Sequence, residues 1–342
     1  MTSLVIQTAF LGDVVLTTPL LEALAARHGP VDVVTTPAAA ALLETHPAVR
    51  RVIPYDKNGR DAGPGGLVRL ARRLRAERYT VAYLPHRSLR TALAAWLARI
   101  PQRVGFADGW RLLYTEVRRR PRDSHEVDRV LALADLAPTN GAVTQRAPTL
   151  AMTAADRGAV DAFLQSSGIT GPFVVLAPGS IWGTKRWPYY EQLVGRLVDR
   201  VSVVLVGGPE DAGLAEKIVR SVEGDGGRRR AVNACSRLTL RQSAEAIRRA
   251  ALLVTNDSAP LHLAQAVGTP TVAIFGPTVP AFGFGPRGPR DRVVELDGLI
   301  CRPCSAHGPQ VCPLGHHRCM QSLGVEDVLQ AIEETGALRR RD

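Results

Sequence analysis

Short apolar runs alternate with longer, helix-like segments along nearly the whole of this 342-residue chain. Each run is bounded by Gly, Pro or polar residues, as expected for buried strands. The predicted strands are residues 4–8, 31–35, 51–54, 80–84, 103–106, 173–177, 201–206, 251–255 and 271–275. Strands that alternate with helices in this way indicate an α/β fold, in which helices cover both faces of a parallel sheet.

The chain is longer than one hydrophobic core usually accommodates. A weakly patterned segment, residues 137–149, interrupts the alternation near the middle and carries Pro138, Gly141 and Pro148. We therefore predict two doubly wound domains, residues 1–150 and 151–342. Ligands of such domains bind at the carboxyl ends of the strands, so candidate functional residues are expected at the strand-to-helix junctions.

The first junction places Gly12 and Asp13 directly after the opening strand. Glycine permits a close approach of the backbone to a ligand, and Asp13 puts a carboxylate at the rim of the crevice. Asp is also a common helix N-cap, so a catalytic role and a capping role are both open for Asp13. Pro19 predicts a kink or a restart of the helix that follows.

A second junction follows the strand at 173–177, where a Pro-Gly turn precedes Ser180 and the cations Lys185 and Arg186. A hydroxyl and positive charge at the mouth of a strand can stabilise a diphosphate leaving group. The alternative is a surface loop anchored by Trp187. A third junction ends in Glu210, which could accept hydrogen bonds from sugar hydroxyls or simply be solvated. This junction lacks the glycine pattern of a dinucleotide-binding loop.

The most informative junction is the sequence TNDSAPLH at residues 255–262, between an apolar strand and a short helix that stops at Gly268. The first N–H groups of a helix and the helix dipole favour a phosphate-bearing ligand. Asp257, Ser258 and His262 supply side chains that can bind hydroxyl groups or phosphate oxygens. The competing interpretation is a capped helix in which Asp257 or Ser258 only satisfies backbone donors.

Four of the five cysteines cluster near the carboxyl end, with histidines among them. Cys301 and Cys304 have the spacing of metal ligands, but Cys312 and Cys319 do not match a zinc ribbon. A structural zinc, an iron–sulfur cluster and reduced thiols in a packed loop are the open interpretations. Cys235 lies far away in sequence and is predicted to be a core residue.

The formal net charge of +11 suits nucleic acid, an anionic membrane surface or an acidic substrate. Aromatic residues make up only 5% of the chain, which argues against a stacking platform for single-stranded nucleic acid. No nucleic-acid-binding module is recognisable. No apolar stretch approaches the roughly 20 residues that span a bilayer, and the amino terminus lacks a signal-peptide pattern. We therefore expect a cytoplasmic protein without structural disulfides.

Five motifs occur in a fixed order along the chain. They are QTAFLGDVVLTTP at 7–19, RVGF at 103–106, APGS at 177–180 with KRWP at 185–188, NDSAPLH at 256–262, and CRPC to CPLGHHRCM at 301–320. Together they resemble the family-9 glycosyltransferases, specifically the bacterial lipopolysaccharide heptosyltransferases of the heptosyltransferase II type. Gln7 departs from that pattern, since many members carry a basic residue there, and this bears on acceptor contacts.

The resemblance implies a GT-B architecture, in which an acceptor-binding and an ADP-sugar-binding Rossmann-like domain face each other across a cleft. It implies an inverting enzyme that moves L-glycero-D-manno-heptose from ADP-heptose to a Kdo/heptose–lipid A acceptor of the lipopolysaccharide inner core, with no required metal or other cofactor. Asp13 falls at the position of the catalytic base. The implied donor-binding residues are Ser180, Lys185, Glu210, Leu238, Asp257, Ser258, Ala259 and His262.

An anionic acceptor in a membrane accounts for the positive net charge better than nucleic acid does. We therefore expect a peripheral protein on the cytoplasmic face of the inner membrane. Two other functions stay open: a GT-B transferase or an epimerase that uses another nucleotide-sugar, and a non-catalytic relative that binds metal through Cys301, Cys304, Cys312 and Cys319. The sequence leaves open the oligomeric state and whether the last helix packs back on the first domain.

Overall fold

The computed structural model describes residues 2–136, 146–222 and 230–338. They belong to two compact units, divided between Ala151 and Met152. Of the predicted connecting segment 137–149, residues 137–145 lie outside the described residues. Each unit is built on one parallel six-stranded sheet covered by helices.

The strands of the first unit are β1 Ser3–Ile6, β2 Val31–Thr35, β3 Val49–Pro54, β4 Val81–Leu84, β5 Gln102–Phe106 and β6 Glu116–Arg118. They pair in parallel in the order β3-β2-β1-β4-β5-β6. The helices are α1 Leu11–Leu16, α2 Thr18–His28, α3 Pro37–Leu43, α4 Gly63–Ala76, α5 Leu89–Leu97 and α6 Glu126–Leu131. The side chains of α4 and α5 pack on one face of the sheet, and those of α1, α2, α3 and α6 pack on the other.

The strands of the second unit are β7 Phe173–Ala177, β8 Ser202–Leu205, β9 Ala231–Asn233, β10 Leu252–Asn256, β11 Thr271–Phe275 and β12 Arg292–Glu295. They pair in parallel in the order β12-β11-β10-β7-β8-β9. The helices are α7 Ala154–Ser166, α8 Tyr190–Leu197, α9 Ala212–Arg220, α10 Leu240–Arg249, α11 Ala259–Val267, α12 Arg318–Gln321 and α13 Val325–Glu334. Apolar side chains of α13 join the core of this second unit.

The predicted fold class, two doubly wound Rossmann-like sheets, is confirmed. Central strands such as β1, β7 and β10 are buried along their whole length, because helices cover both faces of a parallel sheet. That burial requires continuous apolar runs, which mark the central strands in the sequence. All nine predicted strands are present, with ends that differ by at most two residues.

The sequence did not reveal β6, β9 and β12, which are all edge strands. Edge strands are short and often carry charged residues, so they lack the apolar run that marks a central strand. Near Pro19 the helix restarts as predicted: α1 ends at Leu16 and α2 begins at Thr18, with Pro19 in its first turn.

Candidate functional site

The strand order reverses once in each sheet, and both reversal points coincide with predicted site residues. In the first sheet the reversal lies between β1 and β4, and Asp13 follows β1. In the second it lies between β7 and β10, where Lys185 follows β7 and Asp257 follows β10. Open α/β sheets bind ligands outside the carboxyl ends of the strands at such a reversal.

Lys185 and Asp257 form a buried ion pair at the second reversal point. Lys185 Nζ lies 2.6 Å from Asp257 Oδ2, and each residue is only 8% exposed. The hydroxyl of Thr278, which follows β11, donates to the same Oδ2 at 2.6 Å. Withdrawing two charges from water is costly unless further hydrogen bonds satisfy them, and Thr278 provides one. An ammonium group is therefore held in place beside the ends of β7 and β10.

Asn256, fully buried at the end of β10, joins the loops that carry these groups. Its Oδ1 accepts hydrogen bonds from the backbone N of Trp187 at 3.2 Å and the hydroxyl of Tyr190 at 3.3 Å. Its Nδ2 donates to the carbonyls of Pro178 at 2.9 Å and Gly179 at 3.3 Å. The amide thus ties the turn after β7 to the segment before α8. Trp187 is buried. The loop is therefore anchored by Trp187 and also presents the cation Lys185, so the two interpretations of this junction hold together.

The helix α11 begins directly after this strand end, with Ser258 as its N-cap and Ala259 as its first residue. The side chain of Ser258 makes no capping hydrogen bond. The carboxylate of Asp257 is bound by the ammonium and hydroxyl groups described above and does not cap the helix. The first N–H groups of a helix have no partner within the helix, so this turn presents donors where a phosphate binds best.

Two further predicted donor residues are held by local hydrogen bonds. Ser180 Oγ accepts from the backbone N of Trp182 at 3.2 Å. His262 is buried, with its Nδ1 3.0 Å from Gln265 Oε1, and burial lowers the pKa of its imidazole. A neutral imidazole at neutral pH follows, because the charged form is the one that burial disfavours.

The loops after β8 and β9 carry the remaining predicted donor residues, Glu210 and Leu238. Glu210 is exposed, whereas Leu238 is 8% exposed. The enclosed carboxylate is that of Asp211: its Oδ2 accepts from the N of Gly208 at 3.1 Å, and a Cβ added to Gly179 would overlap it. Burial raises the pKa of Asp211. The sequence predicts a role for Glu210, but the carboxylate that the loop holds is that of its neighbour, Asp211.

Asp13 lies in the first turn of α1. Its Oδ2 accepts from the backbone N of Phe10 at 3.1 Å, so the carboxylate does serve the start of the helix. Its pKa is raised to about 7, mainly by burial and then by the negative charge of Glu126, against smaller opposing effects of the hydrogen bond from Phe10 and of the charge of Arg120. A helix cap does not require a carboxyl that titrates near neutrality, whereas proton transfer does.

Cationic side chains lie at the same edge of the first sheet, and one of them, Arg120, acts on the carboxyl of Asp13. Arg120 Nη2 donates to both carboxylate oxygens of Glu126, at 2.9 and 2.7 Å. Lys57 Nζ donates to a backbone carbonyl after β1 at 2.7 Å. His86, after β4, has a buried Nδ1 without a hydrogen-bond partner in the described part of the chain. Burial, with the charges of Lys57, Arg87 and Arg120, lowers the pKa of His86 to about 4.

The cysteine-rich segment lies against the loops of the second reversal point. The hydroxyl of Thr184 donates to the carbonyl of Pro309 at 2.5 Å, and His317 Nε2 lies 2.7 Å from the carbonyl of Thr184. Arg302 donates to the carbonyl of Thr278 at 3.0 Å. The segment therefore supports both loops whose side chains meet at Asp257.

All five cysteines are free thiols. Cys235 lies in the core as predicted, and burial raises the pKa of its thiol to about 12. Burial likewise raises the pKa of Cys319 to about 11. Among the described residues, which include every cysteine, no group of three or more His, Cys, Asp or Glu side chains is arranged to hold a metal. The four cysteines that the sequence pattern suggests as metal ligands are Cys301, Cys304, Cys312 and Cys319.

Four residues that build the two reversal points were not predicted: Asn256, Thr278, Arg302 and His86. Asn256 lies inside the predicted motif, where a buried amide at a strand end could have been singled out. Thr278 and Arg302 bind groups that the sheet topology brings to them, and His86 lies near charges from other parts of the chain, so no local pattern marks these three.

Two Rossmann-like units in one chain, each built on a doubly wound parallel sheet, are the architecture of a GT-B glycosyltransferase. The chain belongs to glycosyltransferase family 9 (heptosyltransferase), whose family model matches residues 67–312. The family and the enzyme class predicted from the motifs are thereby confirmed. Within residues 2–136, 146–222 and 230–338, no helix combines the length and the apolar character needed to cross a membrane.

Several relatives match over most of their length. Lipooligosaccharide heptosyltransferase 2 of Haemophilus influenzae is 27% identical, with 98% of this chain and 99% of the relative covered. Lipopolysaccharide heptosyltransferase 2 of Escherichia coli is 29% identical, with 86% and 87% covered. The solved family-9 glycosyltransferase of Veillonella parvula has a TM-score of 0.82 at 26% identity, covering 98% of this chain and 97% of that one. E. coli ADP-heptose LPS heptosyltransferase II has a TM-score of 0.79 at 26% identity, covering 99% and 98%.

Proposed function

We propose that this glycosyltransferase moves L-glycero-D-manno-heptose from ADP-heptose onto the inner core of lipopolysaccharide, with inversion at the anomeric carbon. The observation that carries the proposal is the carboxyl of Asp13, whose pKa is about 7, at the reversal point of the first sheet. The names of the relatives, which are heptosyltransferases for lipopolysaccharide or lipooligosaccharide, support the choice of sugar and acceptor.

In this proposal Asp13 is the general base. Inversion requires the acceptor hydroxyl to attack the anomeric carbon from the side opposite ADP, and the hydroxyl must lose its proton as the new bond forms. The Asp13 carboxylate takes that proton, and the bond between the anomeric carbon and the β-phosphate oxygen breaks with its electron pair going to ADP. A base with a pKa near the working pH is efficient, because its ionised form is populated and still basic.

The donor side has to stabilise the negative charge that develops on ADP. Lys185 supplies a positive charge that Asp257 and Thr278 hold in place, and the amino end of α11 at Ser258 and Ala259 supplies backbone donors. Fixed donors of this kind need no reorganisation during the reaction. The transfer therefore proceeds without a required metal. In this proposal Ser180 and His262 complete the phosphate and sugar contacts, and Glu210 and the loop around Leu238 contact the ribose and the adenine.

The acceptor side also carries positive charge. Lys57, Arg87 and Arg120 lie close enough to act together on His86, and Arg120 also acts on Asp13. A cationic edge of this kind suits the carboxylates and phosphates of a Kdo–lipid A acceptor. We place the enzyme at the cytoplasmic face of the inner membrane, where such an acceptor is presented.

Turnover of ADP-heptose on a Kdo–lipid A acceptor tests the proposal. Asp13→Asn is expected to lower kcat by at least about 100-fold, and Lys185→Met by about 100-fold or more. Asp199→Asn, an exposed carboxylate on the second unit, is the matched control and should retain full turnover. Wild-type turnover only with a different nucleotide-sugar would refute the donor, and full activity of Asp13→Asn would refute the base.

A further inference from the structure

The outer face of α5 is apolar although it faces solvent. Leu89, Leu93, Trp96 and Leu97 are spaced as i, i+4, i+7 and i+8, which places them on one side of a helix. Leu89 is 40% exposed, Trp96 49% and Leu97 37%, while Ala94 and Ala95 on the opposite side are buried in the core of the first unit. The one charged residue in this arc, Arg90, turns inward and donates to the hydroxyl of Tyr55 at 3.1 Å.

A second exposed apolar group lies beside this stripe. The short helical turn Arg111–Leu113 contacts α5 and sends Leu113 into the core below it. Leu112 points the other way and is fully exposed at 99%, and Trp110 is 46% exposed. Monomeric proteins rarely leave contiguous apolar side chains of this size in water without a partner.

The neighbouring helix α4 supplies positive charge in the same layer. It packs beside α5 on the same face of the first sheet. Its outer face carries Arg69, Arg72, Arg73 and Arg75 together with Val68, and its inner face carries Leu70 and Leu74. Neither α4 nor α5 contains an acidic residue. Of the four arginines only Arg69 has a carboxylate partner in the described part of the chain, Asp61.

We propose that this surface, the exposed faces of α4 and α5 with Trp110 and Leu112, docks the protein on a lipid bilayer that contains anionic headgroups. Tryptophan and leucine side chains enter the boundary between headgroups and acyl chains, and arginines beside them bind the headgroup phosphates. A second copy of the chain fits the surface poorly, because the unpaired arginines of the two copies would repel each other. The surface deepens the proposed function, on which it rests, by locating the contact with the membrane.

Flotation with vesicles of phosphatidylglycerol and phosphatidylcholine, and with vesicles of phosphatidylcholine alone, tests this surface. The variants are Trp96→Ser/Leu112→Ser for the apolar part and Arg72→Gln/Arg73→Gln for the charged part. Leu214→Ser/Val293→Ser is the apolar control, since both side chains are similarly exposed on the second unit at 36% and 37%. Arg196→Gln/Arg220→Gln is the charge control, at exposed arginines of the second unit that pair with Glu326 and Glu216.

The wild-type chain should float with the anionic vesicles and far less with neutral ones. Loss of two arginines, each contributing about a fivefold change in partitioning, should weaken binding roughly 25-fold. The apolar variant should weaken binding at least about tenfold, and both controls should stay within about twofold of the wild type. Equal binding by the surface variants and the wild type, or equal binding to neutral vesicles, overturns the proposal, as does self-association without vesicle binding.

A second measurement separates this surface from the catalytic proposal. Turnover on a water-soluble, deacylated Kdo acceptor and the melting temperature should be unchanged in the surface variants, because the substituted side chains are exposed. If the wild type binds anionic vesicles but fails to turn over ADP-heptose on the soluble acceptor, the proposed function fails and the docking surface stands. If turnover on the soluble acceptor is normal and vesicle binding is lost in no variant, the docking surface fails alone.

Discussion

The raised pKa of Asp13 predicts how the free energy of unfolding depends on pH, whatever reaction the protein catalyses. The ordinary pKa of the carboxyl is 3.8, and in the folded chain it is about 7. Below pH 3.8 the group is protonated in both states and has no effect on the free energy of unfolding. As the pH rises from 4 to 7 the unfolded chain ionises first, so folding becomes progressively less favourable, and above pH 7 the full penalty applies.

The size of the penalty follows from the two pKa values. A difference of about three pH units, at about 1.4 kcal/mol for each, gives about 4 kcal/mol. The residue keeps some contact with solvent, which reduces the penalty, so we expect roughly 2–4 kcal/mol. Asp13→Asn removes the ionisable group and keeps an oxygen that accepts from the backbone N of Phe10. The variant should therefore be more stable than the wild type by roughly 2–4 kcal/mol at pH 8, and should match it near pH 3.5.

Urea unfolding at several pH values between 4 and 8 measures this difference. Asp199→Asn, which removes an exposed carboxylate of the second unit, controls for the change in net charge and should show no such trend. A stability difference between Asp13→Asn and the wild type that stays constant from pH 4 to pH 8 would contradict the argument, because it would mean that the carboxyl is not destabilised by burial. Loss of stability on substitution at pH 8 would contradict it more directly.

Three further results are expected. The value of kcat/KM should rise with pH to a plateau, with an apparent pKa near 7, because Asp13 acts as a base only when ionised. In Glu126→Gln the rise should occur at lower pH, since the negative charge of Glu126 raises the pKa of Asp13. A rise at the same pH in this variant would show that Glu126 does not act on Asp13. Asn256→Ala should destabilise the chain by about 2–3 kcal/mol in thermal unfolding, because it leaves buried donors and acceptors unpaired; a loss below about 0.5 kcal/mol would show that water replaces the amide. Thr278→Val should raise the KM for the donor, measured by initial rates, while Thr278→Ser restores it; equal KM values in both variants would remove Thr278 from the support of Lys185.

The sequence identifies those strands that are buried on both faces of the sheet. Strands such as β7 and β10 are covered on both faces and must be apolar along their length, so the sequence alone identifies them. The edge strands β6 and β12 are partly exposed and carry charges. Their pairing depends on the neighbouring strand, and no local composition signals it.

The candidate site likewise contains residues that the sequence predicts and contacts that only the fold brings about. Asp13, Lys185 and Asp257 follow predicted strands, and residues in that position of a doubly wound sheet lie at its ligand-binding edge. The contact between Lys185 and Asp257 joins positions that are 72 residues apart. Thr278 and Arg302 enter the same cluster from still later in the chain. These contacts exist only because β7, β10 and β11 are neighbours in the sheet.

Local patterns in the sequence are enough to identify the class of fold, the family, and the set of residues placed at strand ends. Periodicity and burial are local properties, and a motif in order along the chain is a property of the sequence alone. The tertiary structure decided the chemical state of those residues: that the Asp13 carboxyl titrates near neutrality, that Asp257 holds an ammonium group and does not cap a helix, and that α5 leaves an apolar stripe in water. The reason is physical, since a pKa and an exposed surface depend on the charges and atoms that folding brings within a few ångströms, and these come from distant parts of the chain.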